Sequence, residues 1–240
     1  MNFYERHILP HVINCACGTK PVRRQRQKVV PRARGVVLEI GIGTGLNLPF
    51  YNGEAVERLV GLDPSEASWA LAAERGRDLP FPVEFIGLPG EEIPLADNSV
   101  DCIVMTFSLC TIPAPLDALA GMARVLRPGG ELIFCEHGLA PDPGVQRWQR
   151  RLNPLWRRIA GGCHLDRDIP ALLAAGGFRT VEQDAHVPSR NAAYRRLQYL
   201  GCCGTRLRRA AAAAASSLRA CAPWPSPARP ARPWRRAHRS

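Results

Sequence analysis

No run of 18 consecutive apolar residues occurs in the 240-residue chain, so no membrane-spanning helix is expected. The basic-then-apolar order of an export signal is also missing, since Asn2, Glu5, Arg6 and His7 mix charge and polarity from the start. The nine cysteines follow no regular disulfide framework, and four of them lie in apolar or motif-rich stretches. A reduced, cytoplasmic compartment is the reading that fits such usage. Acidic residues are absent from the last 55 positions, which hold 12 Arg. The formal charge of +11 is therefore carried by the tail, because upstream of residue 186 the chain has 20 basic against 21 acidic residues.

What is present is enough for one globular domain with appendages. About 185 residues bury roughly 70% of the surface of the unfolded chain, and 46% of the residues are hydrophobic. Three segments are expected. Residues 1–34 form an N-terminal helical segment, in which Phe3, Ile8, Leu9, Val12 and Ile13 recur at helical spacing and a basic connector runs from Lys20 to Lys28. This segment lids the domain or touches a surface. Residues 35–185 form the functional domain. Residues 186–240, with six consecutive Ala, paired Arg and repeated Pro, cannot bury a core and read as disordered.

Within the domain, short apolar runs alternate with segments of helical period, the pattern of an α/β protein with a parallel sheet between two helical layers. Strands are expected at 36–40, 58–62, 82–86, 102–107 and 131–135, with a sixth at 178–183. Helices are expected at 46–51, 66–76, 116–126, 145–160 and 168–175, the last closed by Gly176-Gly177.

The strongest chemical signal is Glu39-Ile40-Gly41-Ile42-Gly43-Thr44-Gly45, directly after the first strand. Glycines there let the backbone approach a ligand where side chains would collide. A nicotinamide-binding loop would place its third glycine at position 46, which is Leu46, whereas G-x-G-x-G is satisfied by Gly41, Gly43 and Gly45. Asp63 ends the second strand 22 residues after Gly41. A carboxylate there can accept both hydroxyl hydrogens of a ribose, so a nucleoside-bearing cofactor is implied.

With these residues the chain resembles the class I S-adenosylmethionine-dependent methyltransferases, in the small-molecule branch that includes the ubiquinone/menaquinone C-methyltransferases. The strings VVLEIGIGTG, GLDPS, IPLADNSVD and RVLRPGGELIFCEHG carry the resemblance, which covers Gly35 to about Gln183. It implies a Rossmann-like doubly wound sheet in three layers, α/β/α, with S-adenosyl-L-methionine as cofactor. Glu39 and Gly41 to Gly45 would surround its methionine part, Asp63 its ribose, and Pro64 and Ser65 the adenosine edge. Pro89 and Gly90 replace the Asp-Ala pair that binds adenine in many relatives, so adenine recognition is expected to pass to backbone groups around Gly90 or to Glu91. The family's seventh strand is expected to be missing or altered, and a shifted reading frame upstream of Tyr194 would account for the tail.

A narrower similarity, in VMTFSLCTI, CEHG and GGCHLDRDI, is to the alkyl-thiol methyltransferases of animal membranes. The expected reaction is methyl transfer to a small apolar acceptor: a thiol, a phenol or quinone ring, or a lipid amine. Alignment supplies much of the rate of such an in-line displacement. His137, ending the fifth strand, is a candidate base or else a histidine bonded to a neighbouring loop. Cys110 faces the transferred methyl or is a plain buried thiol. No metal is expected, since Cys15-x-Cys17 and Cys163-His164 lack the spacing of structural zinc. The Trp- and Arg-rich helix at 145–160 rests weakly on a membrane surface, covers the substrate, or is simply solvated. Nucleic acid is a lesser partner, reached only through the basic tail.

Overall fold

The computed structural model describes residues 8–186 and 197–205. Helices α1 (Leu9–Cys17) and α2 (Lys20–Val29) lead into β1 (Gly35–Ile40), β2 (Val56–Leu62), α3 (Glu66–Gly76), β3 (Val83–Ile86), β4 (Val100–Thr106), α4 (Pro115–Val125) and β5 (Leu126–Gly138). There follow α5 (Pro143–Ile159), α6 (Ile169–Ala175), β6 (Phe178–His186) and β7 (Leu197–Thr205). The sheet order is β3-β2-β1-β4-β5-β7-β6. The first five strands are parallel, and β7 lies antiparallel to both β5 and β6.

Strand alternation divides the core. Leu38, Ile40, Ile103, Met105, Leu132 and Phe134 pack on the face covered by α4 and α6, through Leu119, Met122, Ile169 and Leu173. Their neighbours Val37, Cys102, Val104, Ile133 and Cys135 point to the other face, against Val29 and Val30 below α2, Tyr51, and Ala72 of α3. Both faces of the central strands are therefore buried, which is why these segments read as continuous apolar runs.

Caps place the helix starts. Ser65 accepts from the Ser68 N–H and Asp142 from Val145. Before α6, Asp168 is the cap, accepting from the Ala171 N–H, while Asp166 accepts from Asn153 Nδ2. Gly177, at a φ of 86°, ends α6 in the left-handed conformation that glycine tolerates.

Three expectations are corrected. The basic connector at 20–28 is helix α2, whose inward side carries Gln25 and Arg26 as well as Val29. Polar residues on the buried side hid its period. The helix expected at 46–51 is only a 3₁₀ turn over Leu48–Phe50, because Pro49 within it cannot donate. The seventh strand is not missing: Leu197–Thr205 pairs with Leu132–Gly138 on one side and with Phe178–His186 on the other. The domain thus extends beyond residue 185. Leu-Gln-Tyr-Leu-Gly-Cys-Cys-Gly has no β-branched residue and two glycines, so the strand comes from the vacant ladder beside β5 and not from local propensity. The remainder of the segment expected to be disordered, 187–196 and 206–240, lies outside the described residues.

Because β7 is bonded on both sides, Leu200→Pro, opposite Cys135 and Asp184, removes a ladder donor from a central strand. The loss of unfolding free energy in a urea titration should exceed the usual range of about 0.5–3 kcal/mol for single substitutions. An unchanged midpoint would show that the strand contributes nothing to stability.

Candidate active site

The parallel strands end at one edge, and a cleft of about 390 Å³ opens there. Its floor is the turn after β1. Gly41 has a φ of 70°, and a Cβ on it would lie 2.3 Å from Ser108 Oγ. Only a glycine lets the turn lie this close to the segment after β4. Gly43, at a φ of 50°, donates its N–H to Asp63 Oδ2 at 2.9 Å, and Asp63 Oδ1 accepts from the Ser65 N–H at 2.8 Å. Burial raises the Asp63 carboxyl, while these two N–H groups hold it down.

Gly41, Gly43, Asp63, Pro64, Gly90 and Glu91 all line the cleft, with Ser65 beside them. Gly45 does not. It backs onto Leu48 and α3, where a Cβ would lie 2.9 Å from the Ala72 Cα. Glu91 Oε1 accepts from the Ala114 N–H at 2.9 Å, and Oε2 is buried without a hydrogen-bond partner among the described residues. That orphaned acceptor and the bare glycine turn fit a bound nucleoside with a donor amine and a chain laid along the backbone.

Helix α1 covers this turn. Ile13 joins the cleft wall, and Asn14 Oδ1 accepts from Thr44 Oγ1 at 2.8 Å and from the Arg75 guanidinium at 3.2 Å. The lid role expected of the N-terminal segment thus has a specific latch, which required Asn14 and Thr44 to meet across 30 residues.

Glu39 lies under the turn rather than in the cleft. Sharing the face of Val37, it accepts from Asn47 Nδ2 at 2.9 Å and from Tyr51 Oη at 2.8 Å. Asn47 Oδ1 in turn accepts from Arg26 Nη1 at 2.7 Å, and Arg26 also reaches Thr106 Oγ1 and lies 5.1 Å above the Phe107 ring. This buried network fastens α2 to the ends of β1 and β4. Nothing in the apolar periodicity announced Arg26.

Phe107, Thr111, Gly161 and Ile112 complete the cleft wall, Ile112 lying against Gly90. Behind it Glu136 holds the turn after β4, its Oε1 accepting from the Ser108 and Leu109 N–H groups at 2.7 and 3.0 Å. Burial pushes Glu136 up to about 7 against those bonds. His137 and Cys110, the candidate base and methyl-facing thiol, are buried and do not line the cleft. They meet Cys163 instead: His137 Nε2 lies 3.1 Å from Cys163 Sγ, and the two sulfurs are 3.7 Å apart. The hydrogen bond between the thiols raises Cys110 and lowers Cys163, and His137 lowers Cys163 further.

Comparison with known proteins gives a consistent picture. A family model described as a methyltransferase domain matches residues 38–134. A thiol S-methyltransferase of Rattus norvegicus is 40% identical over 156 residues, covering 63% of this chain and 63% of that protein. The chain therefore spans less than two thirds of that relative. A phosphatidylethanolamine N-methyltransferase of Cereibacter sphaeroides is 32% identical over 170 residues, covering 70% of this chain and 81% of that protein. Among solved structures, a SAM-dependent methyltransferase from Methanosarcina mazei superposes with a TM-score of 0.57 at 20% identity, over 72% of this chain and 93% of that one.

Burial pushes the Glu39 carboxyl from 4.5 up to about 7, against the Tyr51 bond, the Arg26 charge and the Asn47 bond. A carboxyl raised on folding stays protonated where the unfolded chain has ionised, so its contribution to stability falls as pH rises from about 4.5 to about 7 and is level above that. Glu39→Gln keeps an acceptor and the shape. Between pH 5 and 8 the wild type should lose on the order of 2–3 kcal/mol of unfolding free energy relative to the variant. A difference independent of pH in parallel urea titrations would show that the carboxyl is ionised throughout.

Proposed function

The chain belongs to the methyltransferase-domain family, and from that membership we propose that it moves the methyl group of S-adenosylmethionine to a small apolar acceptor, a thiol ahead of a phenol, a quinone ring or a lipid amine. The observation that carries the cofactor end is the Asp63 carboxylate fastened to Gly43 and Ser65 beside a bare glycine turn. Asp63 keeps a lone pair on each oxygen for the ribose hydroxyls. Glu91 Oε2 would take the adenine amine, and the Gly41–Gly43 backbone the methionine part. When bound, S-adenosylmethionine supplies a methyl group already activated on a sulfonium.

The rest is positioning. Ile13 and the α1 latch keep water from the covered turn, and Phe107, Ile112 and Thr111 give the acceptor a largely apolar wall. A thiol held as its thiolate against that wall would receive the methyl group, the products being a thioether and S-adenosylhomocysteine. The thiol proton goes to solvent. A thiol with a pKa of about 8.5 is already a few per cent ionised at pH 7, whereas a phenol near 10 is not. A cleft whose walls hold neither His137 nor Cys110 therefore suits a thiol best. The thiol specificity of the rat relative agrees with this ranking.

Helix α5 offers a route for the apolar acceptor. Trp148, Leu152, Leu155 and Ile159 are exposed on one side of this helix, with Trp148 and Leu155 at 62%. Arg147, Arg150, Arg151, Arg157 and Arg158 accompany them, and no acidic residue lies in the helix. Such a helix lies on an anionic lipid surface. No helix among the described residues is long and apolar enough to cross a membrane.

Three outcomes are expected. Calorimetry should show binding of S-adenosylmethionine and S-adenosylhomocysteine, and Asp63→Asn, which places an amide donor against a backbone donor, should weaken both by about tenfold or more. With a thiol panel, log(kcat/KM) should rise with pH at a slope of about 1 up to the acceptor pKa. Absence of heat with a folded protein rejects the cofactor site; binding without thioether formation rejects the acceptor. In sedimentation with phosphatidylglycerol vesicles, the wild type should pellet and Trp148→Ser/Leu155→Ser should remain largely in the supernatant. Equal partition of the two proteins rejects the α5 contact.

A further inference from the structure

We propose that Cys110, His137 and Cys163 form a binding site for one thiophilic metal ion, with Zn²⁺ the ion that best fits the ligand set. The site is independent of the methyl-transfer reading. Its three ligands come from different elements: Cys110 from the turn after β4, His137 from the end of β5, and Cys163 from the loop between α5 and α6. Their ligand atoms all lie within 4.8 Å of one another, and all three side chains are buried. This convergence is invisible in the sequence, where the residues are 27 and 26 positions apart and no pair has zinc-like spacing.

The separation of the two sulfurs matches that around a tetrahedral ion. With Zn–S of about 2.3 Å, two sulfur ligands stand about 3.8 Å apart, and Cys110 and Cys163 are 3.7 Å apart. With Zn–N of about 2.0–2.1 Å, nitrogen and sulfur stand about 3.5 Å apart. His137 Nε2 is 3.1 Å from Cys163 Sγ and within 4.8 Å of Cys110 Sγ, so the imidazole would move to take its place on the ion.

Chemistry selects the ion class. Two sulfurs and one imidazole, with no carboxylate among them, favour a soft or borderline ion over magnesium or calcium. Two thiolates and a neutral imidazole also balance a doubly charged ion, so the set is neutral where an unbalanced charge would be costly to bury. Three protein ligands leave one position for water or a small ligand.

The backbone is arranged to deliver the third ligand. Gly161 and Gly162 have φ values of 59° and 85°, and the His164 N–H donates to the Cys110 carbonyl at 2.8 Å, which joins the Cys163 loop to the Cys110 turn. Since Gly161 and Thr111 line the cleft, the ion would staple together the acceptor end of the wall.

The test uses the full chain in reducing buffer. Elemental analysis after equimolar Zn²⁺ and desalting should give about one ion per chain, and Co²⁺ should give a sulfur-to-cobalt charge-transfer band with the visible absorption of a tetrahedral ion. Cys110→Ser and Cys163→Ser should each lower occupancy at least tenfold, whereas Cys15→Ser/Cys17→Ser should not change it. A chelator should lower the Tm of the loaded wild type. Should the cluster variants fail to fold, the wild-type cobalt spectrum decides. A wild type that stays metal-free, a cobalt spectrum without the charge-transfer band, or a Cys110–Cys163 disulfide formed in place of metal uptake overturns the proposal. Because none of these readouts involves turnover, failure of the methyl-transfer reading is scored separately.

Discussion

The carboxylate of Asp63 ties the end of β2 to the turn after β1, and the geometry of the cleft depends on that tie. A parallel sheet leaves its strand ends at one edge without ladder partners, so each exit loop must find other acceptors or a ligand. Asp63 meets this need twice, for Gly43 and for Ser65. It also places a charge-bearing group beside a turn with no side chains of its own at 41 and 43. The approach of Gly41 to Ser108 brings the exit of β4 to the same point.

A second carboxylate and an arginine support this arrangement from below. Glu39, Asn47, Arg26 and Thr106 form a connected set in the helical layer containing α2, where each member is buried and each bond satisfies a group that would otherwise be costly to bury. The first residue of the glycine motif therefore acts as a fastener of the N-terminal helices, which in turn carry Ile13 and Asn14 over the cleft. Glu136 does the comparable work on the opposite face, holding the turn that carries Ser108 and Leu109. Glu39 and Glu136 thus support the turns from outside the cleft lining, whereas Asp63 holds its turn from within it.

Much of this was legible from residue patterns. Five parallel strands could be placed because their runs are short and largely apolar, the central ones on both faces, and Gly41, Gly43, Asp63, Pro64, Gly90 and Glu91, grouped by the glycine turn, the acid after it and the family resemblance, all line one cleft. Glu39 does not line that cleft, since sequence adjacency to Gly41 does not reveal which face of β1 a side chain takes; alternation with Val37 and Leu38 does. Helix α2 was missed because its buried residues include Gln25 and Arg26, and β7 because two glycines and a single β-branched residue, at its last position, conceal a strand that pairs on both sides.

The local chemistry of the chain determined the glycine turn, the caps at Ser65, Asp142 and Asp168, and the alternation that buries both faces of the central strands, because each depends on residues a few positions apart. Only the tertiary structure decided that Asn14 latches Thr44, that Arg26 enters the Glu39 network, and that Cys110, His137 and Cys163 meet at one point. Those contacts join residues 21 to 80 positions apart or on different strands and loops, and their partners are selected by how the layers pack, which no local pattern records.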